Sequence, residues 1–186
     1  MTRAVCPVCG REMEFRWETQ EMPYFGEAMV IAGTCDCGFK HSDTILLGQR
    51  EPCRYTLEVD GVDDLDARVI RSSSGTIRVP EIGVDIEPGP ASESYISNVE
   101  GVLLRIEEIV GFATRSARQA GNEEGTRRGE EVLESIRLAR CGQARLTVMI
   151  EDPLGNSAIL SEKAVRYPLT ADEASCLRTG MILLDL

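Results

Sequence analysis

Cys6-Pro7-Val8-Cys9-Gly10 and Cys35-Asp36-Cys37-Gly38 lie within the first forty residues, separated by a stretch that reads as a short hairpin. Two cysteine-bearing turns at the ends of adjacent strands bring four thiolates to one point. That is the donor set a tetrahedral Zn²⁺ takes without needing a hydrophobic core. The arrangement is that of a zinc ribbon, assigned here to residues 1–48. A closed shell of four thiolates leaves no position for water, so such a site contributes folding energy and does not activate a nucleophile. Gly10 stands where the first turn needs a positive φ.

The second pair has only Asp36 between its cysteines, one residue fewer than the usual spacing. That leaves a ligand alternative open: His41, the only histidine in the chain, can take the place of Cys35 if the short loop cannot wrap the ion. Four reduced cysteines without metal, or two disulfides, are the other readings. Paired cysteines in a chain with no secretory signal favour the metal. Met1-Thr2-Arg3-Ala4-Val5 runs into Cys6 with no apolar signal region, and no stretch is long enough to cross a bilayer, so the expectation is a cytoplasmic protein without a membrane partner. Cys53, Cys141 and Cys176 are scattered and are assigned no chemistry.

With 186 residues the chain can hold one ribbon and one larger domain, residues 49–186. Its net charge is −11, and residues 51–95 carry four basic against ten acidic side chains. Nucleic-acid binding draws on phosphate neutralisation, which this balance opposes. Arg115, Arg118, Arg127 and Arg128 are interleaved with Glu123, Glu124, Glu130 and Glu131 and read as a solvated helix-hairpin tip.

Past the ribbon the pattern is one of short antiparallel strands. Arg54 to Val59 alternates, Arg68 to Ser74 and Thr76 to Pro80 flank Gly75, and Val84 to Glu87 ends at Pro88-Gly89-Pro90. Asp60 to Asp66 reads as a solvated acidic loop. Ser97-Asn98-Val99-Glu100 has the form of a capping box, and Val99, Val102, Leu103, Ile106, Ile109, Val110 and Ala113 then recur at helical spacing. A second helix carries Val132, Leu133, Ile136 and Ala139 and stops at Gly142, so residues 97–142 are expected to form a helical hairpin. Strands resume at Arg145 to Ile150. Asp152-Pro153-Leu154-Gly155-Asn156 has tight-turn chemistry and predicts a hairpin into Ser157 to Leu160, followed by strands at Ala164 to Tyr167 and Met181 to Leu184. The fold class is mainly β with an α insertion, barrel- or sandwich-like.

Several short blocks then fall into register: Cys6-Pro-x-Cys9-Gly10, Pro23-Tyr24-Phe25, Cys37-Gly38-Phe39, Asp64-Leu65 with Arg68, Pro80-Glu81-Ile82, Val99-Glu100-Gly101 and Asp152-Pro-x-Gly155-Asn156-Ser157. In that order and over nearly the whole length, the chain resembles one module of the ZPR-type zinc-finger proteins, as in their archaeal members. The resemblance implies a double-stranded β-helix with an inserted helical hairpin behind the ribbon. It also implies Cys6, Cys9, Cys35 and Cys37 as zinc ligands. It further implies a partner, since eukaryotic members, which carry two tandem modules, bind the translation elongation factor GTPase that delivers aminoacyl-tRNA and help it fold. Tyr24, Phe25, Glu81, Asp152 and Asn156 are then candidate partner-binding residues, each weighed against a structural role. Enzymatic metal sites on a double-stranded β-helix use two or three histidines with a carboxylate, and this chain has one histidine, in the ribbon region. No phosphate-binding glycine loop or nucleophile elbow occurs either, so no enzymatic activity is expected. The alternative class is a ribbon associated with RNA or the ribosome.

Overall fold

The computed structural model describes residues 2–23, 25–48, 50–89 and 92–179. The chain divides into two compact units, residues 1–50 and 51–186. In the first, β1 (Thr2–Val5), β2 (Glu12–Met22), β3 (Gly26–Thr34) and β4 (Lys40–Leu46) pair as an antiparallel meander in sequence order. The hairpin between the cysteine pairs is long, with β2 and β3 in register from Glu14 opposite Thr34 to Met22 opposite Gly26. Its interior is thin: Cys6, Met13, Phe25 and Ala28 are the buried apolar residues among those described. Gly33 is glycine because a Cβ there would lie 2.7 Å from the Phe15 ring and 2.8 Å from the Met13 methyl. A sheet with so few buried side chains needs a staple.

The second unit is a sandwich-like jelly roll. Its strands are β5 (Cys53–Val59), β6 (Arg68–Arg71), β7 (Thr76–Val79), β8 (Val84–Ile86), β9 (Tyr95–Asn98), β10 (Leu146–Asp152), β11 (Ala158–Leu160) and β12 (Val165–Pro168). They form a five-stranded sheet in the order β12-β5-β10-β7-β8 and a three-stranded sheet in the order β11-β6-β9. Consecutive strands change sheet at every connection except that from β7 to β8. Leu57, Ile77, Val148 and Ile150 of the large sheet share one core with Val69 and Ile159 of the small one. Val102, Leu103 and Ile106 on α1 (Val99–Gln119) and Ile136 on α2 (Glu123–Arg140) complete it. The helical hairpin is thus inserted between β9 and β10, and a short α3 (Ala171–Ser175) follows β12.

Several local features differ from what the sequence pattern suggests. The turn at Asp152–Asn156 exists, but it does not close a hairpin: β10 pairs with β5 and β7, whereas β11 pairs with β6. Likewise β6 and β7, on either side of Gly75, belong to different sheets. Turn residues set the local bend, and the burial of each strand's apolar face sets which sheet it joins. Helix α1 is capped by Asn98, whose side chain accepts from Gly101 N–H at 2.8 Å; Ser97 is held in the β9 ladder opposite Val69. The acidic run 60–66 is only partly solvated, with Asp60, Val62, Asp63 and Asp66 exposed. Val62–Asp66 forms a 3-10 turn with Asp64 and Leu65 buried, and Lys163 bridges Asp60 at 3.0 Å and Asp64 at 2.9 Å. Finally, Ile109 is 58% exposed, whereas the turns of α1 that follow it bury Gly111 and Thr114. Gly142 does end α2, with φ +68 and its N–H bonded to Ala139 O, while Gln143 N–H reaches Leu138 O. The strand expected at Met181 to Leu184 lies outside the described residues.

Candidate metal centre

Each cysteine pair sits in a turn closed by the backbone. Between β1 and β2, Cys6 N–H donates to Arg11 O at 2.8 Å, and Gly10 N–H donates back to Cys6 O at 2.9 Å, with Gly10 at φ +72. Between β3 and β4, Cys35 N–H donates to Phe39 O at 2.9 Å, and Gly38 N–H donates to Cys35 O at 2.9 Å, with Gly38 at φ +91. The second turn repeats the first with one residue fewer. A left-handed glycine at the same place lets the short Cys35-Asp36-Cys37 loop still aim both sulfurs inward.

The four sulfurs converge. Cys6 and Cys37 Sγ are 3.7 Å apart, Cys9 and Cys35 Sγ are 3.6 Å apart, and all four atoms lie within 4.8 Å of one another. A tetrahedral ion with metal–sulfur bonds of about 2.3 Å has edges of about 3.8 Å between its ligands. The four cysteines are therefore arranged to bind a metal. None is in a disulfide. His41 is not in the cluster; it lies on β4, where its ring meets Phe15 edge-on at 5.9 Å.

The electrostatics fit a site completed by a cation. The backbone N–H and the guanidinium of Arg11 hold the Cys9 thiol down to about 6. Cys35 accepts from the backbone N–H of Cys37, but partial burial and the three neighbouring sulfurs push it up to about 12. Four thiols at this spacing cannot all ionise alone, because each thiolate opposes the next. A divalent metal removes that conflict and releases the protons.

The other residues singled out from the sequence are placed elsewhere. Phe25 is buried beside the β2–β3 turn, and Tyr24 lies outside the described residues. Glu81 accepts from Thr147 N–H at 3.0 Å and Thr147 Oγ1 at 2.6 Å, tying the 3-10 turn Pro80–Ile82 to the start of β10. Partial burial opposes its charge, yet these donors hold its carboxyl below the usual range. Asp152 and Asn156 are inside the jelly roll. Asp152 Oδ2 accepts from Ser72 Oγ at 2.6 Å and Ser157 Oγ at 2.6 Å, and Oδ1 accepts from Ser74 Oγ at 2.7 Å. The backbone N–H groups of Leu154, at 2.9 Å, and Asn156, at 3.1 Å, complete the shell. This network pins the β6–β7 corner to the β10–β11 corner. Sequence reasoning missed Ser72 and Ser74, for which the run Ser72-Ser73-Ser74-Gly75 was the one available sign.

Residues 63–173 match the model of the ZPR1 jelly-roll domain. The chain belongs to the ZPR1 family. An uncharacterised ZPR1-like protein of Pyrococcus horikoshii is 42% identical over 181 residues, 94% of this chain and 80% of that protein. One of Methanocaldococcus jannaschii is 39% identical over 187 residues, 99% and 93% of the two chains. The zinc finger chaperone zpr1 of Schizosaccharomyces pombe is 25% identical over 158 residues, 83% of this chain but 34% of its own length. The match to the Methanocaldococcus jannaschii protein, at 99% of this chain, takes in both of its units.

Proposed function

We propose that this ZPR1-family chain is a cytoplasmic, non-enzymatic zinc protein that works by docking a protein partner, and that the partner is the translation elongation factor GTPase that delivers aminoacyl-tRNA. The observation that carries the zinc assignment is the tetrahedral convergence of Cys6, Cys9, Cys35 and Cys37. Bound there, zinc supplies four strong cross-links to a thin sheet and leaves no coordination position for a substrate. No other cluster of metal-ligating side chains occurs among the described residues, and no described helix is long and apolar enough to cross a membrane. The fission-yeast relative's name, zinc finger chaperone, supports a protein as the ligand, and the net charge of −11 weighs against RNA.

The test is affinity capture from native lysate with the tagged chain and, in parallel, with a Cys6→Ser/Cys9→Ser variant whose jelly roll is verified by circular dichroism. The expected result is recovery of the elongation factor by the wild type and its loss with the variant. Recovery of RNA or ribosomal proteins in its place overturns the proposal.

A further inference from the structure

Among the described residues, two strand edges of the jelly roll have no neighbouring strand near the start of α1. Strand β8 ends the large sheet and β9 ends the small one, so each presents backbone N–H and C=O groups with no described strand beside them. A cleft of about 240 Å³ opens there. Ile86 comes to it from β8, Tyr95 from β9, and Val102, Arg105 and Ile109 from α1, with Arg71 at its inner end and Glu108 lining it as well.

Its charge runs against that of the molecule. Two guanidiniums flank one phenol ring: the Cζ of Arg105 is 4.4 Å, and that of Arg71 5.7 Å, from the Tyr95 ring centroid. Arg71 is 5% exposed and donates to neutral oxygens, those of Gly75 O, Ser92 Oγ and Glu93 O. Neither arginine forms an ion pair among the described residues, whereas Arg140 on the same helical hairpin holds both Glu100 and Glu107. Burial weighs on the Arg71 cation, Tyr95 and Asp152 offset that in part, and the neighbouring Arg105 charge adds to it. An incoming carboxylate relieves the repulsion between the two guanidiniums and gives the buried cation a counter-charge. Beyond the charge, Ile109 at 58% and Phe112 at 69% exposure extend an apolar wall along α1.

We infer that this cleft receives an extended peptide segment of acidic–aliphatic character, its backbone along an open edge strand and one carboxylate side chain held between Arg71 and Arg105 beside Tyr95. Strand addition supplies affinity through the main chain, and the arginine pair supplies the choice of side chain. A strand as short as β8 makes the side-chain contacts decisive. The inference does not depend on which protein carries the segment, nor on the metal centre.

The test uses the full chain and a blocked, fluorescently labelled Val-Ile-Asp-Val-Leu peptide, read by anisotropy beside its Asn counterpart. The Asp peptide is expected to bind at least about tenfold more tightly than the Asn peptide, the margin of a charge-assisted contact over a neutral one. That preference should shrink in high salt and vanish in Arg105→Gln, a surface change whose fold is checked by its thermal midpoint. Arg71→Lys, which keeps the charge but not the fork, should weaken binding of the Asp peptide selectively. Equal binding of the two peptides, no binding at millimolar protein, or an unchanged preference in Arg105→Gln overturns the inference. Complete displacement of the Asp peptide by equimolar inorganic phosphate also overturns it, since it would show a pocket for free anions. Arg178 pairs with Glu87 at 3.1 Å, one residue from Ile86, which makes this chain's own residues after Arg178 a competing occupant. Peptide binding that tightens at least about tenfold on truncation after Thr179 assigns the cleft to them and overturns the docking of a partner.

Discussion

Asp152 brings a carboxylate into the jelly-roll interior with 0% exposure, and three hydroxyls and two backbone N–H groups meet it. Its place in Asp152-Pro-x-Gly-Asn marks a turn by local chemistry alone. What the turn is for depends on Ser72 and Ser74, some eighty positions away in sequence, and no local pattern announces that contact. Asp152→Ala should destabilise the chain by at least about 1–3 kcal/mol, because donors that met the carboxylate stay buried without an acceptor. Asp152→Asn keeps one acceptor oxygen but sets its NH2 against a backbone N–H, that of Leu154 or of Asn156, whichever way the amide is turned. It should therefore destabilise as well, and by less only because one oxygen keeps its donors. Urea unfolding followed by circular dichroism measures both; near-wild-type stability of Asp152→Ala would show that the network is dispensable. The metal ligands were far more legible, since each is fixed by a cysteine and a glycine within five residues of sequence.

At the scale of elements, the helices were readable because apolar residues recur with the helical period, and their neighbours were not. Helices α1 and α2 approach closely at Gly129, whose Cβ position is 2.0 Å from Thr114 Oγ1, while that hydroxyl donates to Val110 O at 2.7 Å. A glycine inside a helix reads from sequence as a weakness; here it admits the other helix. Gly129→Ala should cost about 1–3 kcal/mol through overpacking, and adding Thr114→Ala should recover most of that loss. Additive losses in this double-mutant cycle would place the two residues out of contact. The strands show the opposite balance. Their existence followed from alternation, but partners did not, because a bend such as Gly75 or Gly155 looks the same whether the chain folds back in one sheet or crosses to the other.

For the whole molecule, stability rests on different sources in the two units. Residues 51–186 share one apolar core between two sheets and two helices, whereas the first unit has four buried apolar residues among those described, one of them a cysteine of the cluster. Chelation of the metal at neutral pH is therefore expected to change the emission of Trp17, the only tryptophan and part of β2, while the helical far-ultraviolet signal stays. All described helices lie after residue 60, so the two readouts separate the units; simultaneous loss of both would show a single cooperative fold. Spacing and periodicity within a few turns or strands of chain were enough for a paired-cysteine metal site, the helical hairpin and the mostly β class, whereas the choice of Cys35 over His41 in the cluster came from the fold. The sheet that each strand joins, the lock that Asp152 makes between two corners, and the meeting of Arg71 and Arg105 over one tyrosine emerge from the folded chain alone. Those arrangements depend on contacts between distant segments, whose pairing is settled by burying a common core.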